Sequence, residues 1–133
     1  IKEFLDVFTH VDMMFHFFCI KGFAISLDKA SKGMGLSGKT EGINGALAPK
    51  LWRDGQHEQV LDYVAQDACA TLELAKLCEA ELKVRWTSNR GFKQECPLPQ
   101  GWLPVDQAQE LPEADTSWMA TPWPRSKFTG WLA

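Results

Sequence analysis

The sequence predicts a small α/β fold, mostly helical, with one β-hairpin and an aromatic-rich C-terminal extension. Three observations carry that expectation. Residues 57–83 run without Gly or Pro and are rich in Ala, Leu, Glu and Lys, the composition of a long helix. Val84-Arg85-Trp86-Thr87 and Phe92-Lys93-Gln94-Glu95-Cys96 alternate in polarity on either side of Ser88-Asn89-Arg90-Gly91, the pattern of two strands around a turn. Upstream of residue 57, helix start and stop residues recur too closely for anything but short elements.

The elements follow in order. Ile1, Phe4, Leu5 and Phe8 recur at helical spacing. His10 to Met13 reads as a buried strand or loop end, followed by helix through Phe17 and Phe18. Those aromatics belong in a core, with His16 as a hydrogen-bonded core histidine. Ser26 is placed to cap a short helix that ends at Gly33 or Gly35. Residues 46–53 form another, with Pro49 near its first turn, Trp52 packed, and Asp54-Gly55 closing it. The far end of the long helix, residues 76–83, mixes Glu79 and Glu81 with lysines and reads as a solvated face.

Beyond the hairpin lie Trp102, Trp118, Trp123 and Trp131 with most of the prolines. Helices over 105–111 and 124–132 fit the local signals, and Ser117-Trp118-Met119 is the expected anchor of this tail. The chain thus divides into residues 1–84 and an 85–133 hairpin plus extension packed on them. Arg85, Arg90 and Lys93 give the hairpin local positive charge. With Trp86 and Phe92 it can bind a single strand by charge and stacking, or it covers an apolar edge.

A chain of 133 residues with 45% apolar content can bury a core and is not compositionally disordered. A net charge of −3 excludes strong whole-molecule attraction to nucleic acid and leaves only local patches. Cys19, Cys69, Cys78 and Cys96 form no C-x-x-C pair and have no His at zinc spacing. They read as reduced, mostly buried thiols of a cytoplasmic protein. The apolar run from Met13 to Phe18 is too short to span a bilayer, so no membrane is expected.

Residues 33–40 spell Gly-Met-Gly-Leu-Ser-Gly-Lys-Thr and satisfy the nucleotide-binding pattern G-x-x-x-x-G-K-[ST]. A working phosphate loop needs a buried strand before the glycines and a helix directly after Lys-Thr. Here residues 27–32 look helical and polar, and Glu41-Gly42-Ile43-Asn44-Gly45 carries two glycines where the helix would begin. The match is accidental on this reading, and the segment is an inter-helix loop.

Tyr63 and Asp67 are the most informative pair. Four residues apart on a helix, they share a face, on a line running Val60, Val64, Asp67, Thr71, Leu74 and Cys78. An Asp in an apolar seam needs a partner, such as a metal ion. Spacing alone favours the other reading, an Asp at the seam's edge, half exposed and bonding a neighbouring loop.

Tyr-x-x-x-Asp at the start of a late helix resembles the third motif of the DEDDy-type 3′–5′ exonucleases of the ribonuclease H-like superfamily. Its surroundings agree in order and spacing: Val11-Asp12-Met13-Met14, then Gly22 to Asp28, Gly38-Lys39-Thr40, and Leu51-Trp52-Arg53-Asp54-Gly55. The resemblance covers residues 11–82 and implies the C-terminal portion of a ribonuclease H-like fold. It implies a hydrolase, a two-metal nuclease using Mg²⁺ or Mn²⁺ at a DNA or RNA 3′ end, single strands preferred. Asp67 would be a metal ligand, and Tyr63 would orient the attacking water. A neutral phenol is a poor base at neutral pH, so positioning is its role. Lys39 and Thr40 would touch the nucleic-acid backbone beside the site.

The family holds two cations with four carboxylates, because each cation carries two charges and prefers oxygen donors. No strand with Asp-x-Glu and no Asn-x-x-Phe-Asp motif is present, and neither Asp6 nor Asp12 stands in a matching motif. The chain is therefore expected to be inactive as a nuclease alone, its missing N-terminal half supplied in cis or in trans. The alternative is a non-catalytic nucleic-acid-binding or scaffold module with a degenerate ribonuclease H-like fold.

Overall fold

The computed structural model describes residues 10–37 and 45–130. The expectations for residues 1–8, for Lys39 and Thr40, and for Trp131 lie outside them. Helix α1, Met13–Lys21, begins where the Asp12 carboxylate accepts the Phe15 amide at 3.1 Å. It ends at Gly22, whose φ of +82° is the left-handed conformation that favours glycine. Helix α2, Leu27–Gly33, is capped by Ser26, whose hydroxyl accepts the Lys29 amide at 3.1 Å. Helix α3, Ala48–Arg53, carries Pro49 in its first turn, where a missing N–H costs nothing.

Helix α4, His57–Glu81, spans 25 residues. It stops at Leu82, which takes φ +56° without being glycine and turns the chain directly into β1, Lys83–Thr87. Strand β2, Lys93–Pro97, pairs antiparallel with β1 in the register Val84 to Cys96 and Trp86 to Gln94. Two short helices follow, α5, Val105–Gln109, and α6, Ser126–Thr129. Helices with one two-stranded antiparallel sheet are the α/β content that the sequence predicts.

The main core gathers Phe17, Ala30, Met34, Leu74, Cys78, Val84, Trp86, Cys96 and Leu98. The Phe17 ring meets Trp86 edge-on at 5.1 Å, so the hairpin is part of this core through its inward Val84 and Trp86. A second cluster, Phe15, Cys19, Val105 and Ala108, lies on the other side of α1. Residues Phe15 to Cys19 are consequently all buried. His16 is among them, 2% exposed, and its Nδ1 accepts the Leu103 amide at 3.2 Å.

Gly33 explains the first glycine of the nucleotide-binding pattern. A Cβ there would collide with the Arg85 carbonyl and the Trp86 backbone, so α2 can lie against β1 only with glycine at this position. A helix, not a strand, precedes the glycines.

The tail is held differently from the expectation. Of the expected anchor Ser117-Trp118-Met119, Met119 is half-buried beside Gly22, whereas Trp118 is 66% exposed and meets the Phe23 ring edge-on at 6.1 Å, so the indole is not the main anchor. Arg125 and Phe128 hold the tail instead. The Arg125 guanidinium donates to the carbonyls of Gln109 (2.7 Å), Pro112 (2.9 Å) and Cys19 (3.3 Å). The Phe128 ring lies 4.7 Å from Phe18 and 5.9 Å from Phe15. A planar fork with several donors matches three convergent carbonyls better than any indole can. Trp102, nearer the hairpin, donates its indole N–H to the Ala75 carbonyl at 3.0 Å and straps the chain to α4.

Candidate functional site

The site named by the sequence lies on the first half of α4. Asp54-Gly55 closes α3, and Gly55, at φ +80°, lets the Gln56 amide return to the Leu51 carbonyl at 2.9 Å. His57 then stacks on Trp52 at 4.0 Å and bonds the Trp52 carbonyl at 3.0 Å, fixing the entry of α4. Trp52 remains 47% exposed, so its packing is local to this corner.

Tyr63 and Asp67 stand one turn apart on this well-formed helix, as their spacing requires. Tyr63 is half-buried, with its hydroxyl close to Gly45. Asp67 is exposed, and among the described residues its carboxylate has no hydrogen-bond or ion-pair partner. Its backbone carbonyl accepts the Thr71 hydroxyl at 2.8 Å.

The apolar seam expected around Asp67 is thereby corrected. Val60, Leu74 and Cys78 are buried, but Val64 is 54% exposed, and no described residue covers the face at that level. Asp67 therefore bears no burial cost, and neither a buried metal nor a loop partner is needed to explain it. Leu61, Val64, Ala68 and Leu72, spaced three, four and four apart, form an exposed apolar stripe beside it.

A cavity of about 370 Å³ opens between α1, α2 and α4, lined by Met13, Phe17, Leu27 and Leu74 among others. His10, Asp12 and Thr71 are its polar lining residues with Ser26, and Thr71 is one turn beyond Asp67. Sequence reasoning missed this cavity, because its walls come from three segments that read separately as core.

The described residues do not make a divalent-cation site by themselves. No group of three or more His, Cys, Asp or Glu side chains converges among them, and Asp67 offers a single carboxylate. Such cations require several oxygen donors. Cys69 is exposed two residues beyond Asp67, and the other three thiols are buried. Burial pushes Cys19, Cys78 and Cys96 up to about 11, where the thiolate is scarce at neutral pH. Among the described residues no helix is long and apolar enough to cross a membrane.

No protein-family model, no curated protein and no solved structure matches this chain.

Proposed function

We propose that residues 11–82 are the C-terminal portion of a ribonuclease H-like domain of the DEDDy type, and that the complete domain is a 3′–5′ exonuclease. In this reading Asp67 supplies one of four carboxylates that hold Mg²⁺ or Mn²⁺. Tyr63 orients the attacking water by a hydrogen bond, and Lys39 and Thr40 border the strand. The other carboxylates come from polypeptide beyond this chain, in cis or in trans.

One observation carries the reading. Tyr63 and Asp67 share a face of α4, without competing partners among the described residues, beside the exposed stripe Leu61, Val64, Ala68 and Leu72. A stripe of that width is the usual packing face of a helix. A sheet seated on it would bring its own carboxylates up to Asp67. The lack of a converging donor group among the described residues favours a second reading, a nucleic-acid-binding or scaffold module without catalysis.

The test is Mn²⁺-dependent release of nucleotides from a 3′-labelled single strand by the natively expressed protein that contains these residues, with its intact mass recorded. Asp67→Asn is expected to lower release by about 100-fold or more, as loss of a metal ligand should. Tyr63→Phe is expected to lower turnover with little change in Mn²⁺ affinity. Undiminished release by Asp67→Asn would sink the catalytic assignment. Failure of the wild type to release nucleotides, at a mass of 15.0 kDa, would leave the second reading.

A further inference from the structure

A groove of about 590 Å³ runs between the end of α2 and the hairpin, lined by Lys32, Arg85, Thr87, Lys93, Gln94 and Glu95. It exists because Gly33 lets α2 approach β1 at backbone distance. Its flank is tied down where the Lys29 ammonium donates to Asn89 in the hairpin turn at 2.7 Å.

The charges here are arranged unevenly. Lys32 pairs with Asp28 at 2.9 Å and Arg85 with Glu81 at 3.0 Å, each within its own flank of the groove. Glu95, the carboxylate lining the groove, lies 3.7 Å from Lys83. Arg90 and Lys93, both exposed, have no carboxylate partner among the described residues. Positive charge is therefore in excess along the groove and at its tip, although the chain as a whole carries −3. The backbone amides of the glycine-rich turn contribute nothing, since those of Gly35 and Leu36 already bond the carbonyls of Lys32 and Ser31.

Between the two unpaired cations stands Phe92, 63% exposed. Its backbone is pinned on both sides. The Ser88 amide donates to its carbonyl at 2.8 Å, and the Ser88 hydroxyl accepts its amide at 3.2 Å. An aromatic ring held in water on a fixed backbone, flanked by Arg and Lys, has the makings of a base-stacking platform.

We propose that this hairpin groove binds single-stranded nucleic acid, with phosphates along Lys32, Arg85, Arg90 and Lys93 and a base stacked on Phe92. The choice of ligand rests on the exonuclease reading; the surface does not. A single strand fits because a base inside a duplex cannot turn its face to a ring. An acidic peptide would use the cations and leave the ring idle. Trp86, the other aromatic of the hairpin, is 5% exposed and takes no part. Asp67 lies 14 residues before Glu81 along α4, roughly 21 Å at 1.5 Å per residue. The groove would thus hold the strand at a distance from the Tyr63–Asp67 pair.

The experiment is fluorescence anisotropy of a labelled fifteen-nucleotide oligothymidylate with the intact chain, in EDTA, over a range of salt. Without divalent metal it reads binding and not hydrolysis, so the groove and the exonuclease reading can fail separately. Saturable binding is expected, about fivefold weaker or more in Phe92→Ala. In Arg90→Gln/Lys93→Gln the salt slope is expected to fall by about 1.4, two single-strand phosphate contacts. Glu73→Gln, exposed on α4 and outside both the groove and the Tyr63–Asp67 pair, is expected to bind as the wild type does. These four positions are exposed, and an unchanged thermal midpoint would show that the fold is intact. Absence of saturable binding, or affinity and slope unchanged in both hairpin variants, overturns the proposal. So does loss of binding in Glu73→Gln with Phe92→Ala unaffected.

Discussion

The two ends of α4 are one continuous helix with two different fates. From Leu74 onward it lies in the main core, with Leu74 4% and Cys78 0% exposed, and runs straight into the hairpin. Before Leu74 only Val60 is buried, while Leu61, Val64 and Leu72 are each more than half exposed. Helix α3, its neighbour at that end, buries no residue at all. The packed end has its partners in this chain. The end bearing Tyr63 and Asp67 has the same kind of apolar side chains and no described residue over them. Helix propensity and continuity with the packed end hold the exposed half in shape, since short helices are marginal alone.

The sharpest way to break that comparison is to truncate one residue in each half. Leu74→Ala, 4% exposed in the main core, leaves a cavity there and is expected to cost about 2–5 kcal/mol. Leu61→Ala, on the exposed stripe, is expected to stay within about 0.5 kcal/mol. Urea unfolding of the intact chain reads both. Similar costs would mean that the stripe is covered in solution and that the asymmetry of α4 is false.

Gly33→Ala comes next. The new methyl would meet the Arg85 carbonyl and the Trp86 backbone, neither of which can swing away as a flexible side chain can. Overpacking of this kind costs about 1–3 kcal/mol or more, and α2 should separate from β1 as a unit. Gly35 has open space around it, but its φ of +83° means that Gly35→Ala is also strained, by about 1–2 kcal/mol. If the glycines served a bound nucleotide instead, added ATP would raise the thermal midpoint of the wild type and not of Gly33→Ala. No such shift is expected.

Arg125→Ala removes three hydrogen bonds to carbonyls and the main polar tie between α1 and the tail. With side-chain exposure of 17%, it is expected to cost about 2 kcal/mol. Limited proteolysis should then cut first between α5 and α6. Arg125→Lys should not restore the protection, because a single ammonium cannot span three acceptors. Unchanged cleavage in Arg125→Ala would shift the anchoring role to Phe128.

What was legible in the sequence is what local chemistry determines. Ser26 caps α2, Pro49 sits in the first turn of α3, the Gly- and Pro-free run makes α4, and polarity alternation sets the hairpin in register. Each depends on residues within a few positions of one another. The expectation for Trp118 failed because an indole in a Pro-rich tail suggests burial, whereas the tie is made by Arg125 to carbonyls 13, 16 and 106 residues away. No pattern of side chains marks a backbone acceptor. The exposure of Asp67 was legible in part, as an Asp at the seam's edge, but the bareness of the face around it was not. Periodicity gives the face of a helix, but which stretch of that face is covered depends on elements elsewhere. The groove beside Phe92 was half legible: its cations are plain in the sequence, but the burial of Trp86 and the fixing of Phe92 by Ser88 are not.

The gentlest probe of the packed half is pH. His16 is buried between α1 and the loop before α5, its ring edge-on to Trp102 at 5.5 Å. Its Nδ1 accepts the Leu103 amide, so the folded protein needs the neutral ring. Burial lowers its pKa below the ordinary 6.5. The unfolded chain therefore takes up a proton at higher pH than the folded chain does. The stability that His16 contributes is fully present above pH 6.5 and is lost as pH falls through the lowered folded value. The urea midpoint of the wild type is expected to fall between pH 7.5 and 5, and that of His16→Gln to fall less. The slope is the readout, because the substitution has its own fixed cost at every pH. His10 and His57 stand outside this core and are common to both proteins. Parallel profiles would show that His16 is solvated in solution, and that the contact joining α1 to the tail at Leu103 is weaker than its geometry indicates.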